Sequence, residues 1–364
     1  MRHWWRHIVT NAMAMAITAI AVAQPVALWN ETSHDFGTFH ENDGMQSCKF
    51  LLTNTGDSAL VIVQVKSTCG CTVADHSTDP ILPGESTTID VTYTPTGRPG
   101  TFSKTIWVYT NTTDSPTRLT IGGVTIGSPE SVKQYYPEAV GDLHFTKLMN
   151  SAGEVKKGLI RNNSITAYNS GSDTLVISFD NNTSHISPRA VPDTIVPGGI
   201  TTMSLFFDSS LTPVWGINDD YLTIIATPLN SSNPPTKARV NIVTNVVEDF
   251  TNLSTTEIAN APVCQLSTDK INFDNLKKGE IAEATIQITN TGKSDLIVRR
   301  VMALDKAVTA KTDSTRLHPK ATATVTVKVN PAKVDGNILN SQLTVITNDP
   351  TDSRLTVKLV GEIR

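Results

Sequence analysis

A turn that occurs three times sets the strongest limit on how this chain folds. Thr53-Asn54-Thr55-Gly56-Asp57-Ser58 recurs as Thr289-Asn290-Thr291-Gly292-Lys293-Ser294, and a looser copy reads Tyr168-Asn169-Ser170-Gly171-Ser172-Asp173. Each copy is entered from a run that alternates apolar and polar residues and is left into another, as with Phe50 and Leu52 before Asn54 and Leu60 and Ile62 after it. Self-similarity at a long period means one folding unit repeated. The asparagines stand 115 and 121 residues apart, the length of a sandwich domain with its linker, so each copy marks a whole domain. Asn and Gly between apolar runs predict a tight hairpin, because both accept positive φ at little cost.

The rest of each repeat reads as short strands. A Phe-bearing opening strand precedes each turn, at Asp35-Phe36-Gly37, Leu143-His144-Phe145 and Ile271-Asn272-Phe273. A second turn follows at Pro83-Gly84-Glu85, Pro197-Gly198-Gly199 and the degenerate His318-Pro319-Lys320. Beyond it, period-two runs such as Thr88 to Tyr93 and Thr324 to Val329 mark strands with one buried and one wet face. About seven short strands per repeat, spaced by turns, is the sandwich pattern. The expected fold is all-β, three tandem immunoglobulin-like β-sandwich domains behind an N-terminal signal peptide. The expected boundaries are 1–23 for the signal peptide, 24–127 and 128–248 for the first two sandwiches, 249–262 for a polar linker and 263–364 for the third.

The signal peptide follows from Arg2 and Arg6, the apolar stretch Ile8 to Ala23 and the small-residue ending Ala21-Val22-Ala23, which predicts cleavage after Ala23. At 16 residues the stretch falls short of the roughly 20 that a membrane-spanning helix needs. No transmembrane segment is expected in the mature chain, which places it in the periplasm or outside the cell. The net charge of −4, with Lys and Arg scattered, offers no electrostatic footprint for nucleic acid. Neither a phosphate loop, a zincin motif nor a nucleophile elbow is present in the sequence, and the expected activity is non-catalytic.

The run Thr53-Asn54-Thr55-Gly56-Asp57, then Lys66-Ser67-Thr68-Cys69-Gly70-Cys71-Thr72, Pro83-Gly84-Glu85 and Arg98-Pro99-Gly100 closely resembles the bacterial domain-of-unknown-function 1573 family, with abnormal-spindle and hydin-type immunoglobulin-like domains as wider relatives. The resemblance is specific over about 33–126, clear but without the cysteines over 266–364, and loose over 140–248. It implies a sandwich in an exported protein of Bacteroidetes-like bacteria and implies no activity.

Cys69-Gly70-Cys71 is the one chemically pointed feature. In an oxidising compartment the pair forms a disulfide or plays a structural part. The alternative is a soft-metal site, with Cys69, Cys71 and His76 holding Cu or Zn, or a redox pair. Cys48 alternates in phase with Phe50 and Leu52 and reads as a small core residue. Cys264 has no evident partner, and Trp107 and Trp215 read as core or interface aromatics. The function expected first is a structural or adaptor protein of the envelope that binds a protein or glycan through its sandwich modules. A Cu- or Zn-binding or redox accessory protein is the alternative.

Overall fold

The computed structural model describes residues 23–181 and 183–364; the expected leader falls outside these residues but for Ala23. Alternation becomes sheet as expected. In the first sandwich the strands are β1 (Ala27–Trp29), β2 (Ser33–His40), β3 (Gln46–Asn54), β4 (Ile62–Ser67), β5 (Thr72–His76), β6 (Ser86–Tyr93), β7 (Gly100–Thr110) and β8 (Thr117–Ile126). They form two four-stranded sheets in the orders β1-β3-β6-β5 and β2-β8-β7-β4, antiparallel except where β2 runs parallel to β8. Phe50, Leu52, Ile89 and Val91 from the first sheet face Ile106, Val108, Leu119 and Ile121 from the second, all fully buried. Each contributes about 1.5–3 kcal/mol by leaving water, which drives the two sheets together.

The repeated turn is not a hairpin. β3 pairs with β1 and β6, whereas β4 lies in the other sheet beside β7, so the Asn54 turn carries the chain from one sheet to the other. The reason is the Asn54 side chain, which is fully buried. Its Nδ2 donates to the carbonyls of Ser58 at 2.7 Å and Ile81 at 2.8 Å, and its Oδ1 accepts from Gly56 N at 3.0 Å. Asn169 does the same with Asp173, Ile195 and Gly171, and Asn290 with Ser294, Leu317 and Gly292. The main chain of each asparagine also exchanges two hydrogen bonds with the second turn, as between Asn54 and Gly84 and Glu85.

Glycine is needed at the repeated turn for a different reason from the one expected. Gly56 has no left-handed φ, but a Cβ there would lie 2.6 Å from Val26 N, so the residue lets the leading strand pass. Positive φ is instead required at the second turn, at Gly84 (φ 83°), Gly198 (φ 74°) and Lys320 (φ 71°). Lys320 bears the cost of that conformation with a Cβ.

The chain divides into two compact units, Met1–Ser128 and Pro129–Arg364. The second holds two sandwiches, one of two five-stranded sheets between Glu138 and Val247 and one of four and five strands between Cys264 and Ile363. The expected polar linker contains a short helix, Thr255–Ala259, capped by Ser254 and Glu257. Within this unit Arg299 makes a two-pronged ion pair with Glu248, at 3.0 and 2.7 Å, and lies over the Trp215 ring at 4.6 Å. Arg300 donates to the carbonyls of Trp215 and Ile217 at 2.9 and 2.7 Å. Trp215 is thus the interface aromatic that the sequence suggests.

Replacing Asn290 by Ala removes its hydrogen bonds to the Ser294 carbonyl and to the buried Leu317 carbonyl and should cost about 1–3 kcal/mol in urea unfolding. Lys320→Gly should stabilise by up to about 1 kcal/mol, since it relieves the left-handed strain at some cost in unfolded-state entropy. Arg300→Ala should split the unfolding of Pro129–Arg364 into two transitions; a single unchanged transition would show that the arginine does not couple the two sandwiches.

Candidate functional site

The cysteine pair sits where the chain next crosses between sheets after the Asn54 turn. β4 ends in one sheet at Ser67 and β5 begins in the other at Thr72, and the intervening residues 68–71 carry both sulfurs. Cys69 and Cys71 are joined by a disulfide with their Cα atoms 5.3 Å apart, within the ordinary range for such a bond. Cys71 is buried against the core and Cys69 is half-buried. Three backbone hydrogen bonds fix the crossover: Thr68 N to Thr105 O at 3.1 Å, Thr72 N to Cys69 O at 3.3 Å, and Thr94 N to Cys71 O at 2.9 Å.

The third sandwich builds the same crossover without sulfur. Val308 N donates to Asp305 O at 3.1 Å and Asn330 N to Ala307 O at 2.8 Å, the counterparts of the Thr72 and Thr94 bonds. Ala307 is buried in the place of Cys71, and the Asp305 carboxylate, standing where Cys69 does, accepts from Ala307 N at 2.8 Å. The disulfide therefore occupies the position of an aspartate turn and closes the crossover loop immediately before β5.

His76 lies at the other end of β5, five residues on from Cys71, about 16 Å along an extended strand. Metal–ligand bonds of about 2.0–2.3 Å cannot span that separation. The structure does not bring His76 to the sulfurs, and among the described residues no three His, Cys, Asp or Glu side chains gather as a metal set. His34 and His40 lie on β2, at the opposite edge of the sheet that ends in β4.

Cys48 is a core residue as expected, with Val91 on β6 as its cross-strand neighbour. Burial, with smaller contributions from Glu31 and Asp90, pushes its thiol up to about 11. Cys264 is also buried and unbonded; burial first, then Asp349 and Asp352, pushes it up to about 12. Raised values keep both thiols neutral and unreactive at ordinary pH.

Two surface features of the first sandwich lie outside the crossover loop. β5 has a neighbour on one side only, and Val73 in it is 63% exposed. On the other sheet an open groove of about 390 Å³ runs over β2, β7 and β8, floored by Gly37, Gly122 and Gly123.

Thiol titration should find no reactive group in the native protein at pH 8, two after denaturation and four after denaturation with reductant, since Cys48 and Cys264 are the free pair. The double variant Cys69→Asp, Cys71→Ala copies the third sandwich and should remain folded, with the loss of a disulfide bounded by the roughly 2–4 kcal/mol such a bond supplies.

Among solved structures, a protein of unknown function from Porphyromonas gingivalis W83 superposes with a TM-score of 0.47 at 18% identity, over 61% of this chain and all of that one. An endo-fucoidan hydrolase of glycoside hydrolase family 107 gives 0.27 at 12% identity, over 94% of this chain and 44% of that one. The ASH/PapD-like domain of human CEP192 gives 0.23 at 13% identity, over 32% and 95%. No curated protein matches the chain. Residues 27–125 match the family model described as protein of unknown function (DUF1573) and residues 262–361 that of the HYDIN/CFA65/VesB-like, Ig-like domain, so the chain carries one domain of each kind.

Proposed function

We propose that the chain is an exported, non-catalytic adaptor of the bacterial cell envelope, and that its first sandwich carries the specific contact. The observation behind this is the edge strand β5, which follows a crossover loop closed by Cys69–Cys71 and is open along one side. An edge strand presents unpaired N–H and C=O groups, and an extended segment of another protein adds to such an edge through main-chain hydrogen bonds. That chemistry favours a protein partner over a glycan. The exposed Val73 supplies an apolar contact beside the ladder, and the anchored crossover lowers the ordering cost of binding.

The alternative, a Cu- or Zn-binding accessory protein using Cys69, Cys71 and His76, needs the disulfide reduced and β5 rearranged. Two measurements separate the readings. A photo-crosslinker at Val73 should give adducts with an envelope protein that the same group at Thr309, the matching edge position of the third sandwich, does not give. Equal or absent adducts at the two positions would overturn the adaptor reading. Stoichiometric Cu or Zn in protein purified without added metal, lost in Cys69→Ser, Cys71→Ser, would put the metal reading in its place.

A further inference from the structure

We propose that the mature chain begins at Gln24 and that Asp57 is the recognition site for its new α-ammonium group. The proposal rests on the export half of the functional reading and not on the adaptor half.

Two separate signals meet at one peptide bond. In the sequence, Ala21-Val22-Ala23 closes the apolar stretch in the pattern that a signal peptidase cuts. In the structure, Gln24 is hydrogen-bonded to the repeated turn. Its backbone N lies 2.6 Å from Asp57 Oδ1, and its carbonyl accepts from Asp57 N at 3.2 Å. From Pro25 and Val26 onward the segment lies so close to the repeated turn that only glycine fits at position 56. The residue that cleavage would expose is thus held against the repeated turn.

The other copies of the turn sharpen the point. In the third sandwich the residue at this place is Lys293, whose backbone N donates to Ala261 O at 3.1 Å just as Asp57 N donates to Gln24 O. There the polypeptide continues upstream, and Lys293 Nζ donates to Ala259 O at 2.9 Å. The second sandwich has the neutral Ser172. An acid stands where a chain end is expected and a base where the chain runs on. A lysine at position 57 would repel an ammonium that an aspartate attracts.

The chemical step is hydrolysis of the Ala23–Gln24 peptide bond. One water is consumed, a carboxylate is left on Ala23, and the released Gln24 amine takes up a proton, since an α-amino group ordinarily titrates near 7.7–8.0. The 2.6 Å amide contact then becomes an ion pair. Both partners are exposed, so salt screens the pair.

Intact mass of the protein exported from its full-length gene should equal that of residues 24–364. An uncleaved chain, a different start, or the mass of a cyclised Gln24, whose lactam nitrogen carries no charge, would overturn the proposal. Asp57→Asn keeps a hydrogen-bond acceptor and removes the charge. It should lower the unfolding midpoint of the processed protein at low salt, with the loss disappearing near 1 M salt, where the screening length is about 3 Å. In a version that retains Val22 and Ala23 the same substitution should leave the midpoint unchanged. An equal drop in both versions would show Asp57 to be structural only and would overturn the recognition site, while the crosslinking result at Val73 would stand or fall separately.

Discussion

One buried side-chain amide per sandwich ties together the parts that backbone ladders leave unconnected. A sandwich has hydrogen bonds within each sheet and only apolar contact between sheets, so the places where the chain changes sheet need another restraint. Asn54, Asn169 and Asn290 supply it, each fully buried and each using both amide hydrogens and the carbonyl oxygen on main-chain groups of its own turn and of a segment paired in the other sheet. A single residue thereby holds its own turn, the segment more than 25 residues downstream, and the second turn. Because an unsatisfied group in this setting costs about 1–3 kcal/mol, the amide is also a selector against other crossings. The cysteine crossover in the first sandwich and the aspartate crossover in the third solve the same problem at the next change of sheet.

This division of labour bears on function. The residue pair that looks most chemical in the sequence, Cys69 and Cys71, serves like the three asparagines to hold the places where the chain changes sheet. Free features of the first sandwich include the edge strand β5 and an open groove lined in part by Gly37, Gly122 and Gly123. Rigid crossovers with an open edge suit recognition of an extended partner, since the edge is already in the conformation it needs.

The strands, the three modules and the core position of Cys48 were legible in the sequence because period-two alternation reports directly on which side chains turn inward. The path of the repeated turn was not. Asn-Thr-Gly between apolar runs is also a hairpin signal, and the two differ only in where the asparagine amide finds its partners, at Ile81, Ile195 and Leu317. Gly56 misleads in the same way, since crowding by a strand remote in sequence leaves no local mark. The role of the cysteine pair was within reach: Asp305 and Ala307 follow Asn290 at the same spacing as Cys69 and Cys71 follow Asn54. The joining of the second and third sandwiches depends on Arg299, Arg300 and Trp215 meeting across 80 residues or more, which no periodicity encodes.

The most direct test of the asparagine account is native-state hydrogen exchange of the side-chain amides, followed by NMR in the intact protein. The Nδ2 hydrogens of Asn54, Asn169 and Asn290 should exchange only through the global unfolding of their own sandwich, as slowly as the best-protected backbone amides of its core strands. Exchange at the rate of an exposed asparagine such as Asn233, with the core strands still protected, would contradict it.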